Sequence, residues 1–140
     1  MKNVKDVMIT LKSVQRNGDQ KFETELITEG SYKKTPDGYV ITYAESEATG
    51  YKNSTTILTT LGDMQVTMQR KGAATSNLIV EKGKKHHCHY GTPYGDFTVG
   101  ITTGNIKSDL NETGGDLYFK YVIDINSSYV SDNEVFINIK

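Results

Sequence analysis

A chain of 140 residues suffices for a single domain, 1–140, that removes roughly two-thirds of its unfolded surface from water with no covalent staple. Its 16 basic and 17 acidic residues leave a net charge of −1 with no basic stripe, which excludes nucleic acid as an expected partner. The lone cysteine forbids an internal disulfide, "MKNVKDVMITLKSVQ" carries no secretory signal, and no apolar run approaches the roughly 18 residues of a membrane helix, so a cytoplasmic protein with no membrane partner is expected.

Alternation with period two, rich in β-branched and aromatic residues, runs along nearly the whole chain. "DVMITLKS" opens it with Val7, Ile9 and Leu11 on one face. "KFETELITEGSY", "GYVITYAES", "STTILTTLG", "DMQVTMQRKG", "SNLIVEKG", "KKHHCHYG" and "DFTVGITTGNIKSDL" follow as further strands. "GDLYFKYVIDIN" then sets Leu117, Phe119, Tyr121, Ile123 and Ile125 against Asp116, Tyr118, Lys120 and Asp124, and "NEVFINIK" closes the chain with Val135, Ile137 and Ile139 aligned. The separators "TPDG", "ATGYKN", "LGD", "KGAATS", "KGK", "TPYG" and "NETGG" supply the residues that tight turns use. Short links between consecutive strands predict an antiparallel meander. A flat sheet of so many strands would expose adhesive edges, so the expected fold is all-β, closed into a barrel of about 8–10 strands or curled into a sandwich.

A barrel of this size either fills with side chains or holds one small ligand. Two strands carry a charge at the end of an apolar face. "DMQVTMQR" aligns Met64, Val66 and Met68 with Arg70, and "YVITYAE" aligns Tyr39, Ile41 and Tyr43 with Glu45. If both charges point inward they must pair with each other or with a ligand, since an unpaired buried charge costs several kcal/mol. An inward arginine reads carboxylate or phosphate. Alternatively, both strands end there and the charges reach water.

"KKHHCHYGTPYG" gathers all three histidines and the cysteine. A two-residue hairpin centred on Gly83 and Lys84 lays His86 opposite Glu81, His87 opposite Val80, Cys88 opposite Ile79 and His89 opposite Leu78. His87 and His89 then share a face, about 7 Å apart, while His86 and Cys88 share the other. Two imidazoles do not make a catalytic zinc site, which takes three protein ligands, so no metal and no cofactor is assigned. Neither His87 nor His89 can serve Cys88 as a base, because adjacent strand residues point apart, and no catalytic residue is assigned. A bulge before His87 would exchange inside for outside. Pro93 and Gly95 mark a turn at the rim, with Tyr94 at the mouth. Tyr43, Tyr90, Tyr118 and Tyr121 belong with Tyr94 to a set of nine tyrosines that suits either a lined cavity or ordinary packing.

The histidine strand followed by "YGTPYGDFTVGITTGNI", "GGDLYFKYVIDIN" and "VSDNEVFINIK" resembles the C-terminal half of the YwiB-like family of uncharacterised bacterial proteins. "ITEGSYKKTPDGYVITYAES" and "VTMQRKG" are similar to that family's N-terminal half. The resemblance implies a lipocalin-like, calycin-type β-barrel and brings no established activity with it.

The leading expectation is a barrel that binds a small, anionic molecule through Tyr43, Glu45, Arg70, His87, His89 and Tyr121. It requires an open interior in which those side chains converge; an interior packed solid by Met64, Met68 and Phe119 would refute it. Two other readings stand beside it: a metal-dependent enzyme using barrel histidines, and an interaction module that homodimerises through a strand edge.

Overall fold

The computed structural model describes residues 4–46, 53–73, 75–92 and 95–140. The described residues form ten strands: β1 (Val4–Asn17), β2 (Gln20–Lys34), β3 (Gly38–Ala44), β4 (Ser54–Leu61), β5 (Gln65–Gly72), β6 (Ser76–Glu81), β7 (Lys85–Thr92), β8 (Gly95–Asn111), β9 (Gly114–Ile125) and β10 (Ser128–Ile139). Each pairs antiparallel with its sequence neighbours, and β1 pairs with both β2 and β10, so the meander closes into a barrel. Among the described residues no helix is long and apolar enough to cross a membrane. The rim turn expected at Pro93 and Tyr94 lies outside the described residues.

The two-residue period sends one stripe of every strand into the interior. Val7, Ile9 and Leu11 of β1, Ile41 and Tyr43 of β3, Val66 and Met68 of β5, and Leu117, Phe119, Tyr121 and Ile123 of β9 are buried. Glu25, Glu29, Lys71 and Lys107 on the alternate positions are exposed. Met64 departs from its expected place beside Val66. It stands 57 % exposed in the β4–β5 turn, where its N–H donates to the Leu61 carbonyl at 3.0 Å, because the strand begins only at Gln65.

The interior is filled unequally along its length. Near the chain termini Ile9, Ile41, Leu58, Val66, Val80, Ile101, Ile106 and Leu117 are almost wholly buried. Tyr32 completes that plug: its ring stacks on Tyr39 with centroids 5.0 Å apart, and its hydroxyl donates to the Asn111 carbonyl at 2.8 Å. Toward the opposite end the inward residues turn polar: Glu45, Ser54, Thr56, Arg70, Ser76, Ser131 and Asn133 are all buried. Gly30 permits this geometry. It lies opposite Tyr43, and a Cβ there would collide with Ile9 Cδ1 and the Thr42 carbonyl oxygen.

Closure pairs each strand with a neighbour on both sides. The ladder is thinnest between β6 and β7. Ser76 pairs with Tyr90 and Asn77 with His89, and beyond them only an isolated bridge joins Glu81 to Lys84.

Candidate functional site

The polar end of the interior is built by register. Tyr43 lies opposite Thr56, Thr56 opposite Arg70, Arg70 opposite Ser76, and Ser76 opposite Tyr90, a continuous row across β3 to β7. Glu45 follows Tyr43 by two positions and so joins the same face; its backbone N–H donates to the Ser54 carbonyl at 2.8 Å. The row borders a cavity of about 180 Å³. Glu45, Arg70 and Tyr43 form part of its wall, while Leu11, Phe119 and Tyr121 form the facing, apolar part.

Within this wall the hydrogen bonds converge on Glu45. Thr56 Oγ1 donates to Glu45 Oε1 at 2.9 Å, and the Tyr43 hydroxyl is hydrogen-bonded to the same carboxylate. Burial, and then the Glu45 charge, push the Tyr43 phenol far above its ordinary value, with Arg70 pulling the other way. Tyr43 therefore stays a neutral donor at physiological pH. Arg70 Nη1 points to Ser76 Oγ at 3.5 Å. Phe119 and Tyr121 stand with ring centroids 6.0 Å apart and planes within 19°.

Four of the six residues read from the sequence as ligand contacts, Tyr43, Glu45, Arg70 and Tyr121, thus come together on one cavity. The other two do not. His87 and His89 are exposed on the outer face, His87 opposite Gly100 and His89 opposite Asn77 and Thr98. The physical reason is a one-residue slip. The expected hairpin sets His89 against Leu78, but the chain turns earlier, with Gly83 at φ 78° and Glu81 bridged to Lys84, and then absorbs an extra residue before His89 meets Asn77. Such a slip exchanges the two faces of a strand. Cys88 and Tyr90 take the inward positions, and His89 Nε2 instead lies 3.4 Å from Thr75 Oγ1 outside.

His86 Nε2 lies 2.9 Å from Glu81 Oε1, which also accepts from Gln65 Nε2 at 3.1 Å. Among the described residues no three His, Cys, Asp or Glu side chains are grouped so as to hold a metal ion.

Three contributors escaped the sequence reading: Thr56, Ser76 and Asn133. "STTILTTL" has hydroxyls on both faces, so its alternation says nothing about which points inward. Asn133 sits beyond a register shift between Tyr129 and Ser131, where its Nδ2 donates to Ser131 Oγ at 3.0 Å.

Cys88 is buried, accepts the Ile79 N–H on Sγ at 3.4 Å, and has its thiol pushed up by burial. The thiolate is the reactive form, so native protein should react with Ellman's reagent far more slowly than protein unfolded in urea, which should release one equivalent at once. Equal rates in the two states would place the thiol in solvent.

Fold and cavity together define a closed, ten-stranded, lipocalin-like barrel with a polar pocket at one end. The chain belongs to the family described as Domain of unknown function (DUF1934), whose model matches residues 9–137. Among solved structures it is similar to the crystal structure of the ywiB protein from Bacillus subtilis, with a TM-score of 0.74 over 99 % of this chain and 94 % of that one, at 20 % identity. That likeness establishes the fold. No curated protein matches the chain.

Proposed function

We propose that the barrel binds a small molecule in its interior, with an acidic group of the ligand held at Arg70. The observation that carries this reading is the burial of Arg70 and Glu45, 8 % and 9 % exposed, in the wall of a cavity at the polar end of the barrel. Stability alone does not account for them. Apolar side chains of similar volume in place of buried charges commonly leave a fold as stable or more so. Buried charges beside a cavity are more economically understood as recognition groups. Arg70 presents planar N–H donors to a carboxylate, and Tyr43 and Ser76 extend the same polar row.

The volume sets the scale. About 180 Å³ lies below the roughly 300–1,000 Å³ of pockets for drug-sized ligands, so the occupant is small. Purified without a denaturing step, the protein is expected to carry a small organic adduct in native mass spectrometry. Small organic acids are expected to raise its melting temperature by mass action. A protein with no adduct, whose melting temperature no small acid moves, would end this reading.

A further inference from the structure

We infer, on the footing of that interior binding, that the ligand is a small zwitterion of amino-acid type, its acidic group meeting Arg70 and its ammonium group meeting Glu45. The inference rests on a feature that anion binding alone leaves idle: a carboxylate stands in the same cavity wall as the guanidinium. Glu45 and Arg70 share the inward face: Glu45 stands two residues beyond Tyr43, just past the end of β3, and Arg70 of β5 lies opposite Thr56, which itself pairs with Tyr43. A pocket meant only for an anion gains nothing from a buried carboxylate, which repels the ligand it should attract.

Glu45 also has acceptor capacity to offer. An ionised carboxylate provides about four lone-pair sites, and the hydroxyls of Tyr43 and Thr56 account for two. An ammonium group brings three donors and a positive charge, which suits what is left better than a neutral hydroxyl does. Across the cavity Phe119 and Tyr121 offer apolar surface to a short hydrocarbon body. The space equals the liquid volume of about six waters, the scale of a short hydrocarbon body.

Isothermal titration calorimetry of the full chain with three matched probes tests this: leucine, 4-methylpentanoate, which lacks the amino group, and 3-methylbutylamine, which lacks the carboxylate. Leucine is expected to bind at least about tenfold tighter than either, the scale of one charge-assisted hydrogen bond. Glu45→Gln should abolish the preference for leucine over 4-methylpentanoate, while 4-methylpentanoate, no longer repelled by a neighbouring carboxylate, binds at least as tightly as it does to the wild-type protein. If 4-methylpentanoate binds wild-type protein as tightly as leucine, or if Glu45→Gln weakens both probes alike, the zwitterion is wrong and interior binding stands. The wild-type comparison decides even if that variant fails to fold. If none of the probes binds, the zwitterion is also wrong, and the native mass spectrum then judges interior binding separately: an adduct keeps it, and a bare protein removes it.

Discussion

Arg70→Met is expected to cost about 3–5 kcal/mol of stability, and adding Glu45→Gln to it should restore most of that loss. The guanidinium is the only cation among the described residues that line the cavity. Removing it leaves the Glu45 carboxylate, 9 % exposed, in a medium that solvates charge poorly. Glutamine in its place keeps an acceptor for Thr56 Oγ1 and Tyr43 while discarding the charge, so the second substitution relieves the first. Urea denaturation followed by circular dichroism measures all four corners of the cycle, with an unchanged slope showing that the unfolded state is comparable. The loss is a large share of the roughly 5–15 kcal/mol that holds a domain together. Purely additive single and double effects would show that the two charges do not share one electrostatic environment.

Phe119→Ala is expected to cost about 3–5 kcal/mol, whereas Phe136→Ala should cost about 1 kcal/mol. The two residues face each other's strands, β9 and β10, and differ in the side of the sheet they occupy. Phe119 is 0 % exposed, stacks on Tyr121 and lines the cavity. Truncating it removes a large apolar surface and opens a void that the surrounding strands, fixed by ladders on both sides, cannot collapse to fill. Phe136 is 41 % exposed and loses chiefly its ring contact with Tyr118 at 4.8 Å. Denaturation midpoints measure both. Similar losses at the two positions would show that the interior at Phe119 relaxes freely. The same truncation should also admit bulkier apolar probes, since the ring lines the cavity.

How far the site could be read in advance depended on how cleanly each strand alternates. Ile41 and Tyr43 of β3 with Glu45 just beyond it, and Val66, Met68 and Arg70 of β5, follow an unbroken period of two, so each set's shared face was legible from the alternation, whereas whether its terminal charge points inward or reaches water was not. Leu117, Phe119, Tyr121 and Ile123 were legible for the same reason. Thr56 was not, because threonines occupy both faces of β4 and burial alone separates them. His87 and His89 were misplaced by the extra residue in β7, and Asn133 was hidden by the register shift in β10.

Residue order was therefore sufficient for the strands, their antiparallel sequence, the closed barrel and the apolar stripes that fill it, because each follows from local alternation and turn chemistry. The assignment of the β7 histidines to the outside and of Cys88 to the core belongs to the tertiary structure. A bulge depends on how neighbouring strands pair, and a one-residue offset leaves no local trace while reversing every side chain beyond it. The meeting of Glu45, Thr56 and Arg70 was likewise settled by the pairing of β3, β4 and β5, whose register sets Tyr43 opposite Thr56 and Thr56 opposite Arg70 and leaves Glu45 two positions further along the same face.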